Sequence, residues 1–185
     1  HARNLLSQKT EPLGISWNEG EQTSSLFVND EQQVSEQLGT TVVLPKLTIP
    51  QSFIDFAQQV AFHSDPTKWE LMYRIAWRLN FENKNLMQIS FDDDVRKFLN
   101  MQRDVRIDVH KTHAFVRFKK VTRDGEDYYI AWHNPRHPSL KLSTPFFRDR
   151  FGNMPWSIFT SEESAHWDKH SLTFSEGVPF EAMQN

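Results

Sequence analysis

The chain has no cysteine. That excludes disulfides, thiolate metal sites, a cysteine nucleophile and protein-ligated iron–sulfur clusters of the usual kind. It also fits a reducing compartment, so a cytoplasmic location is expected. No apolar run approaches the length of a membrane span, no secretory leader is visible, and no membrane partner is expected. Glycine is scarce, with six in 185 residues. None of these glycines forms a phosphate-cradling loop or places a serine in a nucleophile elbow.

What is present is an ordinary globular composition, 38% hydrophobic and 24% charged, in a chain long enough to bury one core. Aromatic residues are abundant, with 15 Phe and 6 Trp. Large rings fill cores or form stacking surfaces, and composition does not decide between them.

Charge is unevenly spread. Residues 1–45 hold two basic and six acidic side chains, residues 67–123 thirteen and seven, and residues 161–185 one and five. The middle of the chain is the part suited to a polyanion. A solvated helix face balanced by acidic ends is the other reading, and both stay open on charge alone.

The chain opens His1-Ala2-Arg3-Asn4-Leu5-Leu6 with no capping residue. This reads as the middle of a helix whose start lies upstream. Residues 7–41 form a loose polar segment, onto which Trp17, Leu26 and Phe27 add apolar anchors. The expected organisation is a helix remnant and polar segment over 1–42, then a single α+β domain over 43–185. Pro50 introduces a first helix carrying Phe53, Phe56, Ala57 and Val60. Asp65-Pro66 starts a second at about Thr67, with Arg74 and Arg78 four apart on one face. Asp92 caps a third, which runs to about Val109 and spreads Arg96, Arg103 and Arg106 along it.

The period then shortens to two. Ala114–Val121 and Tyr128–Trp132 flank Asp124-Gly125, a strong turn signal, and predict a β-hairpin within 114–132. Phe115 and Arg117 share one side, Val116 and Phe118 the other. Thr144-Pro145 opens a short helix, and 156–160 and 171–174 read as further strands. Helices first and strands second predict helices packed on a small antiparallel sheet.

The densest chemistry lies in His110-Lys111-Thr112-His113-Ala114-Phe115-Val116-Arg117-Phe118. Basic groups neutralise phosphates and aromatic rings stack on unpaired bases. The plain alternative is a core strand with basic residues at its end. His110, His113, His133 and His137 make a four-imidazole set on paper. No carboxylate or thiolate supports it, so neither a metal nor another cofactor is expected. No catalytic residue is assigned. Asp108, Asp149 and Asp168 are candidate partners for a histidine base, but sequence does not bring them together. Arg117 and Arg150 sit among aromatics and require an anion, a carbonyl or a ring. A pair with Asp149 or Asp168 would serve equally. Phe146, Phe147 and Trp156 read as core.

Five pieces in order resemble one known family. They are Trp69–Arg78, His110–Phe118, Ala131-Trp132-His133-Asn134-Pro135-Arg136-His137, Pro145–Phe151, and Trp156-Ser157-Ile158 with Trp167-Asp168. The family has no established molecular function. Its members are described as DNA-repair or DNA-metabolism proteins, found beside radical-SAM proteins or fused to uracil-DNA-glycosylase-like domains. Here Thr112 stands where Met is frequent, and His133-Asn134 where an aromatic residue and an acid are usual. The resemblance implies a DNA-repair setting and a radical-SAM or glycosylase-like partner.

The expected function is that of a nucleic-acid-binding accessory protein, acting on single-stranded or damaged DNA. Arg74, Arg78, Arg103, Arg106, Lys111, Arg117 and Arg150 would contact phosphate. His110, His113 and Trp132 would lie near a base or sugar, with His137 grouped beside them. Two alternatives are an enzyme using His110, His113 and Arg117 on a nucleotide or damaged base, and an adaptor for a protein partner.

Overall fold

The computed structural model describes residues 2–13, 15, 17, 47–123 and 125–183. Most of the polar segment read at 7–41, including Leu26 and Phe27, lies outside the described residues, as does the expected boundary near 42. The α+β class holds. The domain comprises two compact units, His1–Ala57 with Pro66–Phe98 and Gln58–Asp65 with Leu99–Asn185.

The first unit is helical. It contains α1 (Ala2–Ser7), most of α2 (Gln51–Val60), α3 (Lys68–Phe81) and the start of α4 (Asp93–Phe115), through Phe98. Pro50 precedes α2, where its missing N–H is not needed, and its carbonyl accepts the N–H of Phe53. Thr67 is the N-cap of α3, but its hydroxyl makes no capping bond and instead accepts a hydrogen bond from Lys97 Nζ at 2.9 Å. Leu71, Ile75 and Leu79 face inward at helical spacing, and Phe53 stacks on Phe98 at 5.1 Å. Trp17 lies 5.3 Å from the Tyr73 ring, whose hydroxyl donates to the Thr10 carbonyl at 2.7 Å. Asp92 caps α4 as expected, with Oδ1 accepting the N–H groups of Asp94 at 3.0 Å and Val95 at 3.2 Å.

The second unit holds the rest of α4, a five-stranded sheet and α5 (Leu140–Arg150). The strands are β1 (Lys119–Arg123), β2 (Glu126–Trp132), β3 (Trp156–Phe159), β4 (Glu163–Trp167) and β5 (Leu172–Glu176), in spatial order β1-β2-β3-β4-β5. All pairings are antiparallel except β2–β3, where Ile130 stands opposite Ser157. A parallel pair needs a crossover, and α5 supplies it. Val116, Ala131, Leu140, Phe147, Trp156, Ile158 and Ala165 form the core of this unit.

Four expectations need correction. The helix α4 continues to Phe115 rather than ending near Val109, because Val105, Thr112 and Val116 extend its buried stripe. Burial overrides the β-propensity of those residues. The first hairpin strand is consequently 119–123, not 114–121, although the hairpin and its turn are real and Gly125 adopts φ 82°. The helix α5 starts before Thr144-Pro145, so Pro145 is internal. A proline leaves the carbonyl four residues back without its usual donor, and the Thr144 hydroxyl donates to that Lys141 carbonyl at 2.9 Å. Finally, β4 is an additional strand, and its Glu-Ser-Ala-His-Trp sequence carries no β-type run.

Candidate functional site

The outer face of α4 is built by its helical period. Val105, Asp108 and Thr112 point inward, which turns Arg103, Arg106, Ile107, His110 and Lys111 toward solvent. Phe115 ends the helix with 65% of its surface exposed, and Ile107 is 44% exposed. Residues 99–123 contain seven basic side chains and two acidic ones, Asp104 and Asp108. Asp108 is buried. Among the described residues no acid pairs with Arg103, Arg106 or Lys111.

The basic groups on α3 are differently placed. Arg74 donates to Asp94 at 2.9 and 3.0 Å and to Glu70 at 2.8 Å. Arg78 reaches Asp92 at 2.6 Å, with Asp94 and Glu82 both at 3.0 Å. The Arg78 hydrogen bond holds the Asp92 carboxyl below its ordinary value against the opposing effect of burial, and Arg78 itself is raised by the same contact. These two arginines are spent on carboxylates.

The remaining expected residues separate. Arg117 folds back onto the end of α4, donating to the carbonyls of Ala114 at 2.7 Å and Val116 at 2.9 Å. His113 lies on the helix, not at a strand entry. Its Nε2 is 3.2 Å from the Ser143 carbonyl, and its ring stacks on Phe146 at 4.3 Å. Burial holds its pKa below the usual histidine value; the Ser143 carbonyl acts against that and neighbouring His110 adds to it. Phe146, read as core, is 39% exposed, whereas Phe147 and Trp156 are buried. Arg150 rests 5.7 Å from the Phe151 ring. Asp149 pairs instead with Arg148, and Asp168 accepts from His170 and Ser171. The Trp132 indole donates to the Val178 carbonyl at 3.0 Å and packs 4.7 Å from Phe180.

Sequence reasoning missed the organising role of Asp108. Its Oδ1 accepts the backbone N–H of Arg136 at 3.0 Å, and its Oδ2 accepts the N–H of His137 at 3.1 Å and the Ser139 hydroxyl at 2.8 Å. His137 is buried at 2% exposure. Its Nδ1 receives the N–H of Ser64 at 3.2 Å and lies 3.0 Å from the Ser64 hydroxyl, and its ring sits 4.3 Å from His63. Burial depresses His133, with nearby Asp108 working against the shift. The available signal was Asp108 at an inward position of a basic helix, where a carboxylate needs donors. Among the described residues no three His, Asp or Glu side chains form a group able to hold a metal ion.

Residues 66–181 match the family model for a domain of unknown function, DUF4130. The chain belongs to that family. No curated protein and no solved structure matches it. Asp108, the 133–139 loop and the outer face of α4 all fall inside the DUF4130 span, whereas Ser64, which anchors His137, precedes it. No helix of the described residues is long and apolar enough to cross a membrane.

Proposed function

We propose that this DUF4130 chain binds nucleic acid through the outer face of α4, from Arg103 to Phe115, as an accessory component of DNA repair. One observation carries the reading. Arg103, Arg106 and Lys111 stand exposed on α4 without an acidic partner among the described residues, and the same helix carries the uncovered apolar side chains Ile107, one residue after Arg106, and Phe115, one turn after Lys111. Cations without counter-charges release condensed counterions when they meet phosphates. A bare ring among them suits an unpaired base, which favours single-stranded or damaged DNA. The DNA-repair setting, a radical-SAM or glycosylase-like partner and a cytoplasmic location rest on the family resemblance and belong to the same proposal.

An enzymatic reading through His110, His113 and Arg117 has less support. Both His113 and Arg117 are engaged with backbone carbonyls. Among the described residues no carboxylate bonds any of the three to orient a general base.

Fluorescence anisotropy with single- and double-stranded oligonucleotides across a salt series tests the reading. Steeply salt-dependent binding is expected, weakened in Arg103→Ala and Lys111→Ala, each variant flattening the salt slope by about one. Equal binding by both variants and the unsubstituted protein would overturn it.

A further inference from the structure

The 133–139 loop has the construction of a held reading element. Asp108 is 6% exposed, and among the described residues its carboxylate accepts from the backbone N–H groups of Arg136 and His137 and from the Ser139 hydroxyl. A carboxylate removed from water needs such donors, and these fix the loop backbone against α4. The loop is pinned again at His137 through Ser64, and at its start by the His133 N–H on the Phe159 carbonyl at 2.9 Å. Pro135 and Pro138 remove further backbone freedom.

Two polar side chains leave this fixed backbone for solvent. Asn134 and Arg136 are exposed, and neither side chain bonds another described residue. On α4, Lys111 follows Asp108 by three residues and Phe115 by seven, so helical spacing places them on the side of the helix that the loop abuts. The loop therefore adjoins the Lys111 and Phe115 edge of the basic surface, while Arg103 and Arg106 lie on the other side of α4. Arginine offers a planar fork of donors to phosphate or to a base edge, and asparagine offers a donor and an acceptor together.

We propose that the 133–139 loop is a recognition loop of that surface. Arg136 contacts a phosphate or base edge, Asn134 reads a base edge, and Asp108 is the positioning residue that fixes the loop backbone from Arg136 to Ser139. The inference rests on the nucleic-acid reading of α4. It adds base preference, which the α4 cations alone cannot supply because phosphates are the same in every sequence.

The test compares Arg136→Ala, Asn134→Ala, Asp108→Asn and Arg103→Ala against four single-stranded homo-oligonucleotides over a salt series. Arg136→Ala is expected to weaken binding about tenfold and flatten the salt slope by about one. Asn134→Ala is expected to leave the slope unchanged and narrow the spread among the four oligonucleotides. Asp108→Asn, with its helical circular dichroism intact, should reproduce the Arg136→Ala loss, and the double substitution should lose little more than either alone. If Asp108→Asn does not fold, Arg136→Ala and Asn134→Ala decide the matter. Unsubstituted behaviour in both, alongside weakened binding in Arg103→Ala, would overturn the recognition loop and leave the α4 surface standing. No binding by the unsubstituted protein at low salt would overturn both.

Discussion

Arg74 and Arg78 on α3 and Arg103 and Arg106 on α4 are the same side chain at similar helical spacing, and the fold gives them opposite surroundings. The α3 pair is enclosed by Glu70, Glu82, Asp92 and Asp94. The α4 pair meets no acid among the described residues. A charge count over the middle of the chain adds the four together, yet only the α4 pair is available to a polyanion. Part of the basic excess is therefore structural, tied to carboxylates within the fold.

The largest effect should come from breaking the α3 side. Arg78→Ala leaves Asp92 and Asp94 as neighbouring carboxylates without their shared cation. The expected loss is about 2 kcal/mol in a urea-unfolding series, between the values for exposed and buried pairs. Nucleic-acid affinity should not change. The opposite pattern is expected of the Arg103→Ala, Arg106→Ala double variant: stability within about 0.5 kcal/mol of the parent and a salt slope of binding reduced by about two. If stability fell in both variants, or binding fell in both, the contrast between the helices would be lost.

Acidity provides a finer separation. Arg78 holds Asp92 below the ordinary carboxylate range, and the unfolded carboxyl titrates near about 4. The associated stability is complete above that pH and is lost as pH falls through the lower folded value. Arg78→Ala should raise Asp92 and shrink this acid-limb loss, as measured by the unfolding midpoint against pH. Asp168, pushed down to about 2 by the Ser171 and His170 donors, adds a loss between about pH 4 and 2. Asp168→Asn should remove that component. The smallest effect belongs to the exposed Arg96–Asp93 pair at 2.7 Å. Arg96→Ala should cost no more than about 0.5 kcal/mol.

The fold class was legible because the helical spacing of Phe53, Ala57 and Val60, the Asp92 cap and the Asp124-Gly125 turn are strong local signals. The end of α4 was not. Ala114-Phe115-Val116 alternates like a strand, and only the burial of Thr112 and Val116 on the continuing helical stripe reveals the longer helix. The short β4 strand was hidden because its buried Ser164 and Ala165 are not β-type residues. For the candidate site, the sequence put the basic residues of both helices together and could not tell Arg74 from Arg103. Pairing depends on acids brought near by folding, such as Asp94 twenty residues from Arg74. Asp108 was read as a candidate histidine partner, and its role in holding the 136–139 backbone was hidden for the same reason, since its donors lie beyond residue 135.

The single parallel pairing in the sheet has a kinetic consequence. The β1–β2 hairpin and the β3–β4–β5 meander are each closed by short turns, whereas joining β2 to β3 must first order residues 133–155. Long closures are slower to form than local ones. The two halves should therefore acquire amide protection first and fuse along the β2–β3 seam afterwards. In pulsed hydrogen exchange during refolding, the Tyr129 and His133 amides, which bond Pro155 and Phe159 across that seam, should become protected later than the Thr160 amide bonded within the β3–β4 turn.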